Sequence, residues 1–330
     1  MRCTTSGCAT LVLMVGAALP AGMPTVVAAQ EYPAKPIRIV YGYPPGGAAD
    51  FTGRILAQRL QARESLGQPV VMESRPGAGS TIAIQRVATS PPDGYTLLLL
   101  SEGGLVQSAR GAKLPYDLLR DLQPVALMAM GPQGLIVHPA LPVKSVKDLI
   151  ALARQHPGKL SYGSSGNGSA QHLAGELFNM MANIRTTHVS YKGGSQSSVA
   201  IAGGEIEMGF ATIPSALPFI SSGRLRLLAI TLPQRVSFLP DTPTVAEAGV
   251  PGYEYSAWYG IVAPAGLPSD IATKLNTAVS AIVKTAEVKE MFNKGGLEPY
   301  TGTPAEFTKF VNGQFDKASK LSKAAGTSAE

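Results

Sequence analysis

The chain has 330 residues, of which 45% are hydrophobic and 15% charged, and it carries a net charge of +6 at neutral pH. That balance describes a globular chain and excludes disorder, and its length can supply two ordinary domain cores. The basic residues are scattered, as at Arg54, Arg63, Lys144, Lys147, Arg224 and Lys289, with no basic stripe interleaved with aromatics, so no nucleic-acid partner is expected.

The first 29 residues read as a signal peptide. Arg2 opens them, the run Leu11-Val12-Leu13-Met14-Val15 is apolar, and Val27-Ala28-Ala29 offers the small residues of a cleavage site. An uncleaved anchor fits less well, because Pro20, Gly22 and Pro24 interrupt a stretch that would need roughly 20 apolar residues to span a bilayer. Both cysteines, Cys3 and Cys8, fall in this leader, so the exported chain is expected to have neither a disulfide nor a thiol catalyst.

From residue 37 onward, short β-rich runs alternate with helical stretches. Strands are predicted at 37–40, 70–72 and 95–100, with helices at 50–63 and 81–88 between them. The middle repeats the theme, with strands at 125–130 and 135–138, a helix from Ser145 to Gln155, a strand at 161–163 and a helix to Ala182. Further β/α alternation runs through 187–191, 195–202, 206–212, 216–222 and 225–230. Thr244 and Glu247 have the spacing of a helix capping box. Helices are expected at 269–284, at 287–293 and from Thr303 onward. Repeated βαβ units imply an α/β fold with mainly parallel sheet.

Three Gly/Ser-rich loops, at 44–50, 101–107 and 164–169, each follow a predicted strand and precede a predicted helix. Ligands of open α/β sheets sit beyond the carboxyl ends of the strands, where helix N-termini present free N–H donors. The first loop, Pro44-Pro45-Gly46-Gly47-Ala48-Ala49-Asp50, resembles a phosphate cradle but lacks both a Lys-Ser/Thr pair and G-x-G-x-x-G spacing. A small anion gripped by backbone, with no reactive group beside it, points to binding without catalysis. Asp50 is expected to act as a structural cap near the site, because a bare carboxylate would repel an anion.

Catalytic and metal constellations are thin. His138, His156, His172 and His188 show no metal-ligand spacing and are read as surface or satisfied core residues, and no G-x-S-x-G elbow occurs. No cofactor, metal or catalytic residue is expected. Trp258, the sole tryptophan, is read as core filling, with a cleft wall as the alternative.

The motifs Tyr32-Pro-Ala-Lys-Pro-Ile-Arg-Ile-Val, Pro45-Gly-Gly-Ala-Ala-Asp50, Arg75-Pro-Gly-Ala-Gly79 and Pro92-Asp-Gly-Tyr-Thr-Leu97 resemble those of the Bug-type substrate-binding proteins of tripartite tricarboxylate transporters. The likeness continues in order through Leu114-Pro-Tyr-Asp117, Ser165-Gly-Asn-Gly-Ser169, His188-Val-Ser-Tyr-Lys-Gly193, Leu239-Pro-Asp-Thr-Pro-Thr244 and Ala263-Pro-Ala-Gly266. It implies a periplasmic, monomeric receptor with a type II-like flytrap fold. Residues 30–130 plus 255–330 would form one lobe and 131–254 the other, with hinge strands near 125–130 and 255–264. The ligand would be a small carboxylate, amino acid or amide, handed to membrane permease subunits. The site implied by the loops and the resemblance comprises Tyr43, Gly46, Gly47, Ala48, Ser101, Ser165, Gly166, Gly168, Ser169, Tyr191 and Thr212. Glu102, in the second loop, is expected to face the cleft and to favour a monocarboxylate, zwitterion or amide over citrate. Readings from other classes are an exported hydrolase in the same cleft and a receptor for a membrane sensor.

Overall fold

The structure, a computed structural model, describes residues 32–324 apart from 112 and 192, together with 3, 7 and 326. The expected leader and its cleavage site lie outside the described residues save Cys3 and Gly7. The first half of the sheet forms as its apolar runs predict. β1 (Ile37–Tyr41), α1 (Ala48–Leu60), β2 (Val70–Ser74), α2 (Thr81–Ala88), β3 (Thr96–Ser101) and α3 (Glu102–Ala109) follow in turn. β1 lies between β2 and β3 and is parallel to both, with Ile37 opposite Val70 and Arg38 opposite Thr96. Parallel strands covered by helices need apolar residues on both faces, and Ile37, Ile39, Val40 and Leu97 to Leu100 supply them.

After the short α4 (Leu118–Asp121) comes β4 (Leu122–Val137), a single strand of 16 residues where two were expected. Gly131-Pro132-Gln133-Gly134 reads as turn chemistry, yet it stays extended. A Cβ on Gly131 would lie 2.6 Å from Leu297, and one on Gly134 would lie 2.6 Å from Leu227. These glycines admit close neighbours instead of turning the chain.

The second half comprises α5 (Val146–Gln155), β5 (Ser161–Ser164), α6 (Ala170–Ala182), β6 (Thr187–Ser190), α7 (Gly194–Gly203), β7 (Met208–Thr212), α8 (Ile213–Ser221) and β8 (Arg226–Ile230). The chain then returns through β9 (Ser256–Pro264) to α9 (Ser269–Lys284), α10 (Ala286–Lys294), β10 (Glu298–Pro299) and α11 (Pro304–Ala324). The strand order is β2-β1-β3-β9-β4-β7-β5-β6, with β8 and β10 also paired to β4. β4 gives its residues 122–132 to β9 and its residues 133–137 to β7 and β8, so one strand serves both halves. The result is an α/β architecture of two halves, each with parallel strands, joined by antiparallel strands.

Two Thr/Glu pairs form reciprocal capping bonds, with different results. Thr303 and Glu306 exchange bonds of 2.8 and 3.2 Å and open α11. Thr244 and Glu247 also exchange bonds, both 3.0 Å, but no helix follows. Gly249, with φ of +134°, and Pro251 stop the chain after one turn. Among the described residues no helix is long and apolar enough to cross a membrane.

One apolar core lies beneath β1, β2, β3 and β9 against α1, α9 and α10, and includes Ile39, Leu56, Leu275 and Phe292. A second is continuous through both halves and includes Leu98, Leu135, Phe178, Phe210 and Trp258. Trp258 on β9 packs edge-to-face against Phe307 and Phe310 of α11. It fills core, as expected.

Candidate ligand-binding cleft

Among the described residues, six helices follow the carboxyl ends of parallel strands. Five of them have no side-chain cap: α1 behind Gly47, α2 behind Ser80, α3 behind Ser101, α7 behind Gly193 and α8 behind Thr212. Only α6 is capped, by Ser169 Oγ, which accepts the His172 N–H at 3.2 Å. An uncapped start leaves backbone donors without intrahelical partners and carries roughly half a positive charge. Such starts suit an anionic ligand.

On the first lobe, the β1–α1 and β3–α3 connections are tied together. Ser101 Oγ donates to the Tyr43 hydroxyl at 2.8 Å, and Ser74 Oγ donates to the Tyr43 carbonyl at 2.8 Å. Asp50 lies in the first turn of α1 and braces the turn that precedes it. Its carboxylate accepts the Tyr41 hydroxyl at 2.6 Å, the Gly46 N–H at 3.0 Å and Arg54 Nε at 2.9 Å. Gly46 sits at φ of +91°, so the turn needs glycine for its conformation. Its N–H is engaged by Asp50, which leaves Gly47 and Ala48 at the open start of α1.

Burial opposes the charge on Asp50, but the bonds from Arg54, Tyr41 and Gly46 outweigh it and hold the pKa below the ordinary value. Asp50→Ala is expected to cost about 2–3 kcal/mol near neutral pH, because it strands the buried Tyr41 hydroxyl and frees the turn. A depressed carboxylate pKa stabilises the fold above the unfolded-state value, and that stability is lost as pH falls. The gap between variant and wild type should therefore narrow in acid. Urea titrations at pH 7 and pH 3 measure it, and a gap that widens in acid would refute the assignment.

Two expectations for the second loop are corrected. Residues 101–107 are not a loop, because α3 starts at Glu102 directly after β3 and contains Gly103 and Gly104. The glycines are there for contact: a Cβ on Gly103 would lie 2.6 Å from the Tyr43 hydroxyl. Glu102 does not face the cleft. It is 5% exposed and turned into the protein, where Tyr255 and Lys317 lie close enough to act on its carboxyl. The electrostatic case against a multiply charged ligand loses its basis.

On the second lobe, the 164–169 segment is organised by Ser164, which is fully buried. Its hydroxyl accepts the Gly166 N–H at 3.1 Å, lies 3.0 Å from the Gly166 carbonyl and contacts His188 Nε2 at 2.7 Å. A Ser–His contact invites a hydrolase reading, but this hydroxyl is shut off from solvent and committed to the loop backbone. Ser165 and Tyr191 are half-buried beside it, and the Tyr191 N–H donates to the Ser164 carbonyl at 3.1 Å. Thr212 ends β7 at the start of α8, its hydroxyl 3.0 Å from Ser215 Oγ. Gly168 donates its N–H to His172 Nδ1 at 2.9 Å.

Three residues beyond the expected set shape this region. His172 and His188 stack with ring centroids 3.7 Å apart. Arg110, at the end of α3, donates from Nη1 to Gln107 Oε1 at 3.1 Å and to the Asn167 carbonyl at 3.3 Å, linking the first lobe to the loop of the second. The spacing Gly168-to-His172 is a helical-turn signal for the first contact. Nothing in the sequence around Arg110 marks the other. Among the described residues, no group of three or more His, Cys, Asp or Glu is placed to hold a metal.

Residues 54–327 match the tripartite tricarboxylate transporter family receptors, TctC. The chain belongs to that family. It is 36% identical to protein BugT of Bordetella pertussis over 293 residues, covering 88% of this chain and 89% of BugT. It is 34% identical to the UPF0065 protein of the tcbD-tcbE intergenic region of Pseudomonas sp. strain P51, over 88% of this chain and 86% of that protein. Among solved structures, R. palustris Rpa4515 with adipate superposes with a TM-score of 0.80 at 36% identity, covering 90% of this chain and 99% of that one. MatC (Rpa3494) from Rhodopseudomonas palustris with bound malate gives a TM-score of 0.76 at 28% identity, covering 88% and 100%.

Proposed function

We propose that this chain is an exported solute receptor that binds a small dicarboxylate between its lobes and delivers it to the permease subunits of a tripartite tricarboxylate-type transporter. The observation that carries the reading is the set of uncapped helix starts at α1, α3, α7 and α8, gathered at strand ends of both lobes. Gly47, Ala48, Ser165, Tyr191 and Thr212 are the contacts this reading favours, with Tyr43, Ser101, Gly46, Gly166, Gly168 and Ser169 shaping the walls. The lobes are residues 30–130 plus 255–330 and residues 131–254, and they close about β4 and β9. A ligand touching both lobes favours the closed state over the open one. The 1–29 segment is the cleaved leader that takes a monomeric receptor to the periplasm.

Dicarboxylates are the substrate class of choice because Rpa4515 carries adipate and MatC malate, and because no ionised Glu102 opposes a second carboxylate. A thermal-shift and calorimetry panel of adipate, malate, citrate, glutamate and benzoate tests the proposal. A C4–C6 dicarboxylate is expected to raise the melting temperature most, since ligand at 100 times its Kd adds about 2.7 kcal/mol. It should be recovered unchanged after prolonged incubation. A panel without any shift would overturn the carboxylate reading, and consumption of the ligand would favour a hydrolase.

A further inference from the structure

The loop at 165–169 is gripped from beneath by two imidazoles. Gly168 has φ of +67° and Gly166 φ of +125°, so neither owes its conformation to local preference of an L-residue. What fixes them is a pair of bonds: Gly168 N–H to His172 Nδ1 at 2.9 Å, and Gly166 N–H to Ser164 Oγ at 3.1 Å. Ser164 is in turn 2.7 Å from His188 Nε2. The two rings lie nearly parallel, 10° apart, so each imidazole is the wall against which the other is oriented. Arg110 also meets the loop, and a Cβ on Gly168 would fall 2.5 Å from its guanidinium.

We propose that His172 and His188 are positioning residues for the ligand carboxylate, holding the 165–169 backbone in its binding geometry through Gly168 and Ser164. The proposal rests on the reading of the cleft given above.

The bond from Gly168 decides the proton count on His172. A backbone N–H can only donate, so Nδ1 carries the lone pair and the neutral ring keeps its proton on Nε2. That proton points toward Glu176, whose Oε1 lies 3.9 Å away and also accepts the Tyr162 hydroxyl. A second proton could only go on Nδ1, where it would confront the Gly168 N–H. The groups facing the pair are Glu176 on α6, Tyr162 on β5 and Arg110 just after α3. Burial is the main influence on both rings. The Arg110 cation adds to it for His172. For His188 the neighbouring His172 adds to it, while Glu176 pulls the other way. Both pKa values drop to about 4. The pair is therefore neutral at neutral pH, and its hold on the loop is lost only as pH falls toward 4.

His172→Asn and His172→Leu separate positioning from mere filling. Asn keeps an acceptor where Nδ1 stands but cannot be protonated in this range, and Leu has no acceptor. Amide hydrogen exchange of Gly168 in the unliganded full chain should be at least tenfold faster in His172→Leu than in wild type. His172→Asn should stay within threefold of wild type. Long-range imidazole nitrogen spectra should show His172 as the Nε2–H tautomer at pH 7. Adipate affinity should fall at least tenfold in His172→Leu and little in His172→Asn. The ratio of wild-type to His172→Asn affinity should drop between pH 6 and pH 4, which a purely structural histidine would not produce. Equal Gly168 exchange in all three proteins, or a His172→Leu chain that binds adipate like wild type, would overturn the proposal. A wild type that binds neither adipate nor malate counts against the ligand reading, while the exchange measurement still decides the positioning claim.

Discussion

Glu102→Gln is expected to leave stability almost unchanged at pH 5 and to raise it by several kcal/mol at pH 9. Burial of this carboxyl pushes its pKa up to about 8 from 4.5, against the pull of the Tyr255 hydroxyl and the Lys317 ammonium. In the unfolded chain the group ionises at its ordinary value. Wild-type stability is thus fully present below pH 4.5 and is lost progressively as pH climbs through 8, where the folded protein must ionise a buried acid. The interval corresponds to a loss on the order of 5 kcal/mol. Gln keeps an acceptor for Tyr255 and never ionises, so it escapes the loss. Lys317 does not cancel the effect. Burial lowers its own pKa, and its ammonium is spent on the Glu254 carbonyl at 2.6 Å. Denaturant titrations of both proteins at pH 5, 7 and 9 measure the difference. Parallel stability curves across that range would mean that Glu102 is solvated, and would restore it as a charge available to the cleft.

Glu102 also shows where sequence reading stops. The β/α order, the bounds of α2 and α9, and the strand ends that carry the loops follow from hydrophobic periodicity and capping chemistry, which act within a few residues. The continuity of β4 through Gly131-Pro132-Gln133-Gly134 does not follow, because Leu297 and Leu227 require those glycines from far along the chain. The same holds for α3, whose Gly103 and Gly104 lower local helix propensity while Tyr43 demands the space. In the candidate site, the Gly/Ser segments at 44–47 and 164–169 were legible as connections from strand to helix because glycine marks tight turns, whereas 101–107 is helix. The side chains behind them were not. Whether Glu102 points to a ligand or to Tyr255, and whether His172 meets His188 or solvent, depends on strands paired through long crossovers. Arg110 reaches Asn167 across 57 residues, a pairing no local pattern encodes.

Trp258→Ala is expected to destabilise the protein by about 3–5 kcal/mol, the usual cost of emptying a large aromatic site in a core. The indole is fully buried on β9, opposite Met130 of β4, and two edge-to-face partners, Phe307 and Phe310, seat α11 upon it. Among the described residues its Nε1 has no hydrogen-bond partner, so the side chain contributes through shape and apolar area. Trp258→Phe should therefore cost under about 2 kcal/mol, since it retains much of that area and forfeits no bond. A tryptophan held by a polar contact would show a far smaller gap between the two variants. The consequence reaches the cleft, because α11 also packs on α3 and α6, one from each lobe, and carries Lys317 to Glu102 and Tyr255. Loosening α11 should lower the melting temperature and weaken ligand binding together. Far-ultraviolet circular dichroism melts give the stabilities, and calorimetry with the tightest dicarboxylate gives the binding. Trp258→Ala that melts within 1 kcal/mol of wild type would show that α11 holds its place without the indole.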